Sequence, residues 1–279
     1  MKKTAIAFVA AVAAGAAIAV FGTDTHDATT SAVHASVADA PATTPSSSSP
    51  RAAQPTQQSA QQTTSLPLIT DLGPALNVAG WDIAYDKASV TVATDPSGAP
   101  ALAMRFPAGY EGGSSPATVY YKKFSVSKIR WESTLSYPTN YVKHQSSVDK
   151  SVFVSVNDYN AMYTMMYDAT RLIPAIGLQG IVNMGVSTNL TPNVAQVELQ
   201  RGKRYVLACE ATGNTAGQEN GIVECWLDGT KFLRTTGIQF TRNDAKFTGI
   251  AWVPIWGGAG GTLPAPQSAY LGRLRVYGQ

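Results

Sequence analysis

From about Leu66 onward the sequence is a succession of short alternating runs broken by turn residues. No apolar helical period lasts longer than two turns. About thirteen such runs can be marked: Ser89–Thr94, Leu102–Phe106, Thr118–Phe124, Lys128–Ser136, Ser151–Asn157, Ala161–Tyr167, Ile173–Gly180, Gln196–Gln200, Arg204–Ala211, Gly221–Leu227, Lys231–Thr235, Gly249–Trp256 and Tyr270–Tyr277. Between them stand Asp95-Pro96-Ser97-Gly98, Pro107-Ala108-Gly109, Arg201-Gly202-Lys203 and Asp228-Gly229, which are turn sequences. Many short strands with almost no helix predict an all-β protein, a two-sheet antiparallel sandwich of jelly-roll type. A propeller requires an internal repeat, and none is present.

The region upstream has a different composition. Lys2 and Lys3 precede an apolar run from Ala5 to Phe21, and Ala17-Ile18-Ala19 fits a small-x-small cleavage site, so residues 1–21 read as a secretory signal peptide. An uncleaved anchor is the alternative, but the run is Ala-rich and short for a span. Residues 22–65 are dominated by Ala, Ser, Thr, Gln and Pro, too little apolar area to offset ordering entropy, and are expected to be a disordered linker. The sandwich domain is then 66–279. Export implies a secreted, periplasmic or cell-surface protein, with no stable membrane insertion after cleavage, and we expect a monomer.

A net charge of +3 without any Lys/Arg-rich run excludes a nucleic-acid partner. No cofactor is expected. Neither CxxC nor HxxxH spacing occurs, and the loop residues Asp149, Asp158 and Asp168 allow calcium without arguing for it, so no metal site is assigned. The two cysteines instead suit one disulfide in an oxidising compartment. If Arg204–Ala211 and Gly221–Leu227 form a hairpin with Cys209 opposite Cys225, Tyr205, Leu207 and Cys209 share a core-like face with Val223, Cys225 and Leu227.

That register also sets Glu210 opposite Glu224, with Arg204 and Trp226 on the same face. Two carboxylates about 5 Å apart are a retaining-glycosidase spacing; glutamates neutralised by Arg204 or Lys203 are the plainer reading. Other runs provide a polar face by parity: Arg130 and Glu132 against Trp131, Tyr163 and Tyr167 against Met162 and Met166, Gln179 against Ile176 and Leu178. In Trp252–Gly261, Trp252, Pro254 and Trp256 share one parity and Ala251, Val253 and Ile255 the other, and the glycines allow close approach of another chain. Flat rings and fixed donors are what a sugar groove needs, and Glu132, Tyr167, Trp226, Trp252 and Trp256 are the candidate substrate-binding residues. His144, alone in the domain among histidines, is a candidate base, with Lys150, Tyr163 or Tyr121 to share proton transfer and Arg130 or Gln179 to stabilise developing charge.

Taken together, Tyr110-Glu111-Gly112-Gly113-Ser114-Ser115-Pro116, the run Asn140 to Lys150, Gly221 to Gly229, Pro254-Ile255-Trp256-Gly257-Gly258 and the closing Tyr277-Gly278 resemble secreted bacterial domains of the concanavalin-A-like jelly-roll superfamily, in particular its heparin- and alginate-lyase-like polysaccharide lyases. The resemblance implies a polysaccharide partner and elimination next to a uronate carboxylate. An Arg, Gln or Asn would neutralise that carboxylate, and a Tyr, His or Lys would move protons, roles open here to Arg130, Gln179, His144, Lys150 and the tyrosines. A non-catalytic carbohydrate-binding module presented on a tether stands as the alternative, and a retaining glycosidase as a third.

Overall fold

A computed structural model describes residues 66–73, 81–85, 90–111, 118–144, 148–158, 160–257 and 261–279. The expected signal peptide and linker lie outside the described residues. Among the described residues fifteen strands follow in chain order: β1 (Leu68–Leu72), β2 (Asp82–Tyr85), β3 (Val90–Thr94), β4 (Pro100–Phe106), β5 (Thr118–Val126), β6 (Lys128–Ser136), β7 (Val148–Val156), β8 (Asn160–Tyr167), β9 (Ile173–Ile181), β10 (Gly185–Leu190), β11 (Arg204–Thr212), β12 (Gly221–Leu227), β13 (Thr230–Ile238), β14 (Phe247–Ile255) and β15 (Gln267–Gly278). The described pairings between these strands are all antiparallel.

The strands form two sheets. The back sheet runs β13-β12-β11-β6-β15-β4-β3, with β1 also paired to β15, and the front sheet runs β10-β9-β8-β7-β14-β5-β2. Side chains of one parity from each sheet meet in a large apolar core that holds Trp131, Trp252, Phe106, Phe232, Phe240 and Phe247. This is the expected jelly-roll sandwich. Cys209 and Cys225 are bonded, and their strands pair with Glu210 opposite Glu224. Closing a loop with a sequence separation of 16 stabilises by roughly 3 kcal/mol in the chain-entropy account.

Three strands escape sequence reading. β10 is an exposed edge whose Val186 is 80% accessible, so it lacks the half-buried alternation that marks a strand. β1 and β2 are edge pieces of only five and four residues, too short for an alternation to stand out. Conversely, the expected strand Gln196–Gln200 contributes only the isolated bridge between Leu172 and Leu199.

Candidate active site on the front sheet

Seven positions align across the front sheet on its face away from the back sheet: Asp82, Tyr121, Ala251, Phe153, Tyr163, Gly177 and Asn189, each paired with the next. A neighbouring row contains Lys123, Gly249, Ser155, Gln179 and Ser187. Around the middle of these rows Tyr121, Phe153, Tyr163, Met165, Ala175, Ala251, Val253 and Ile255 make a second, smaller apolar cluster. The centre is therefore buried. Its ends are polar and accessible, with Lys123 on β5 and Ser187 and Asn189 on β10.

Lys150 enters this face through a β-bulge. Lys150 pairs with Met165 and Phe153 with Tyr163, so three steps on β7 match two on β8. The extra residue turns Lys150 and Phe153, whose parities differ, toward the same face. The bulge is stitched by Thr164, whose Oγ1 accepts a hydrogen bond from Val152 N at 3.1 Å and lies 2.8 Å from Ser151 Oγ. The facing strand is irregular at the same level, between Trp252 and Ile255. Pro254 lies there, where a missing N–H is tolerated.

The Lys150 ammonium nitrogen lies 4.8 Å from the centre of the Tyr163 ring. Lys150 is only 8% exposed, and among the described residues no carboxylate pairs with it. Burial disfavours the charged form and pulls its pKa down to about 8. Tyr163 moves the other way. Burial raises its pKa, partly opposed by a hydrogen bond to the Ser187 side chain. A base that is partly neutral near physiological pH thus sits against a phenol that keeps its proton. Phe153 packs against the same phenol, centroids 5.3 Å apart.

The segment leading into β7 is fastened from below. Tyr141 Oη and Lys143 Nζ both lie 3.2 Å from Asp149 Oδ2, and Lys143 Nζ also donates to Met166 O at 2.6 Å. Gln267 and Trp256 hold the backbone of Val142, Trp256 Nε1 donating to its carbonyl at 2.8 Å. His144 is fully buried beneath Gly257, edge-on to Trp256 at 4.6 Å. A Cβ on Gly257 would meet His144 Cγ at 1.8 Å, so this glycine makes room for the imidazole. Burial raises the Asp149 pKa, opposed by Lys143, Tyr141 and the Gly257 backbone; burial lowers that of Lys143, opposed by Asp149.

The structure brings together only some of the expected site residues. Lys150, Tyr163, Tyr167 and Gln179 share the front face, where Tyr167 is 38% exposed. His144 is enclosed in the packing below β7 rather than open to a substrate. Trp252 and Trp256 face the core at 1% and 3% exposure, because the large rings gain most from the space between the sheets and leave Ala251, Val253 and Ile255 to the outer face. The aromatic side of that strand is thus the inner one, a correction to its expected availability. Arg130, Glu132 and Trp226 are on the outer face of the back sheet. Arg130 pairs with Glu132 at 2.9 Å and stands over Trp226 at 5.2 Å, with Lys231 over the same ring at 5.1 Å. Glu210 and Glu224 are on that face too, each 2.7 Å from a lysine, Lys128 and Lys231 respectively. Among the described residues no group of acidic, His and Cys side chains forms a metal cage.

Comparison with solved structures finds the same fold in polysaccharide lyases. Alginate lyase Aly36B superposes with a TM-score of 0.58 at 13% identity over 73% of this chain and 88% of its own. A form of Aly36B with one lysine and one tyrosine replaced by alanine, in complex with alginate tetrasaccharide, gives 0.57 at 12% identity over 75% and 91%. Alginate lyase vAL-1 from Chlorella virus gives 0.57 at 14% identity over 76% and 100%. No protein-family model and no curated protein sequence matches the chain. At these identities the likeness is one of fold.

Proposed function

We propose that this chain is an exported lyase that cleaves an acidic polysaccharide by β-elimination on the outer face of the front sheet. The observation that carries the reading is the Lys150–Tyr163 pair: a buried lysine with lowered pKa held against a protonated phenol. Neutral Lys150 takes the proton from the carbon next to the uronate carboxylate. The C4–O4 bond breaks as the C4–C5 double bond forms, and Tyr163 gives its proton to the leaving O4. Gln179, one row along, is placed to hydrogen-bond the carboxylate as charge develops on it, and exposed Tyr167 offers a ring for an adjoining sugar. At pH 7 about one Lys150 in ten is neutral if its pKa is about 8.

Further observations support the substrate class and the compartment. Lys123 lies in these rows and Lys150 beside them on the same face, while the one carboxylate of the two rows among the described residues is Asp82 on the edge strand. The Aly36B form in complex with alginate tetrasaccharide has a lysine and a tyrosine replaced by alanine, the same pair of residue types. The Cys209–Cys225 disulfide fits an oxidising compartment, in keeping with the leader-like residues 1–21. Mass analysis of digests of alginate, glucuronan and other uronate polymers tests the reaction type. Elimination gives fragments lighter by one water than hydrolysis fragments. Hydrolytic masses, or retention of polymer without any cleavage, would replace the lyase reading by a glycosidase or a binding module.

A further inference from the structure

The Tyr163 ring does not stand away from its sheet. It lies across the neighbouring strand, over its own cross-strand partner Gly177. A Cβ at Gly177 would meet Tyr163 Cε2 and Cζ at 2.2 Å and its hydroxyl oxygen at 2.6 Å. The φ of Gly177 is not positive, so backbone freedom does not explain the glycine; the ring occupies the space a side chain would need. Laid flat in this way, the phenol reaches past β9 to the Ser187 side chain on edge strand β10. Phe153 supports the ring from β7, and the Lys150 nitrogen is 4.8 Å from its centre.

We propose that Gly177 and Ser187 are the positioning residues of Tyr163, Gly177 as the seat that lets the ring lie down beside Lys150 and Ser187 as the hydrogen-bond partner that fixes where the hydroxyl points. The inference rests on the lyase reading for its effect on turnover, but the placement of the phenol can be read without any substrate. An upright Tyr163 would carry its hydroxyl away from the strand that bears Ser187 and would no longer offer Lys150 its ring. The contact with Ser187 favours the phenolate, so its removal has a defined sign.

The test uses the full chain with tyrosines labelled at Cζ and their ionisation followed by NMR, the Tyr163 signal being the one missing from Tyr163→Phe. In Ser187→Ala the Tyr163 midpoint rises by about half to one pH unit, the loss of one ordinary hydrogen bond to the ionised form, and Ser187→Thr restores it. On a cleaved polysaccharide, Ser187→Ala lowers kcat about tenfold with KM nearly unchanged, and Gly177→Ala lowers kcat about a hundredfold while thermal unfolding stays cooperative. An unchanged Tyr163 midpoint in Ser187→Ala overturns the proposal, and so does a wild-type kcat in folded Gly177→Ala. If no polysaccharide is cleaved by the wild type, the lyase reading fails and the titration alone decides whether Ser187 positions the phenol.

Discussion

Lys150 gains its lowered pKa from burial, and the same burial links it to stability. Its folded pKa of about 8 lies below the ordinary 10.5, so between these values the unfolded chain binds the extra proton. Stability contributed by this group therefore rises as pH increases from about 8 toward 10.5, by up to ~3 kcal/mol, and the folded state carries that penalty below pH 8. Denaturant unfolding should show Lys150→Met more stable than wild type below pH 8, with the difference closing at higher pH; a pH-independent difference would contradict the burial argument. His144 is a residue of the opposite kind. It is enclosed between Gly257 and Trp256, and His144→Ala is expected to cost ~3 kcal/mol of stability through lost packing. In this account its specific activity falls only with the folded fraction, measured at a temperature where the variant is native. Nothing in residue type separates Lys150 from His144 in the sequence. Imidazole is the more usual base near neutrality, and only the surroundings of each group, brought together from β7, β8 and the segment around Gly257, assign them different parts.

At the scale of the element, β7 carries the argument. The alternation of Val152, Val154 and Val156 against Phe153 and Ser155 is legible in the sequence, but the bulge that brings Lys150 round to the face of Phe153 is not. Parity counts residues along one strand, whereas a bulge is a relation between two. The Lys143–Asp149 pair beneath the entry to β7 is likewise formed by residues that a linear reading places in a polar loop. Both side chains are almost fully buried, so removing one partner leaves an uncompensated charge. Asp149→Asn or Lys143→Met alone should cost ~3–5 kcal/mol, and the double replacement should recover much of it. A double-mutant cycle of unfolding free energies checks this; additive losses would mean that the two residues act independently. The hairpin β11–β12 was readable in full, because two cysteines and a common apolar face fix one register.

In the molecule as a whole, the two outer faces of the sandwich have different chemistry. The back face is a lattice of paired charges in which Arg130, Glu132, Glu210 and Glu224 already have partners. The front face has a desolvated lysine and phenol at its centre with polar groups at its ends. Glu210→Gln and Glu224→Gln should therefore leave polysaccharide cleavage within about twofold of wild type, since they act across the thickness of the sandwich and through screened surface pairs; a large loss of kcat in either would return the back face to consideration. Layer architecture and the parity of most runs are legible in the sequence; strand number is not, since β1, β2 and β10 escape it and Gln196–Gln200 contributes only a bridge. Which sheet each run joins is not legible, because a polar face looks the same on either: parity alone does not separate Arg130 and Glu132 from Tyr163 and Gln179, which lie on the far side. The most direct measurement is the initial rate of ultraviolet absorbance from newly formed unsaturated uronate, taken as a function of pH for wild type, Lys150→Ala and Tyr163→Phe on one cleaved polymer. The account predicts a wild-type rate that climbs through a midpoint near pH 8 as Lys150 loses its proton, and loss of at least ~100-fold in each variant. A Lys150→Ala protein that keeps the wild-type rate and profile would contradict it.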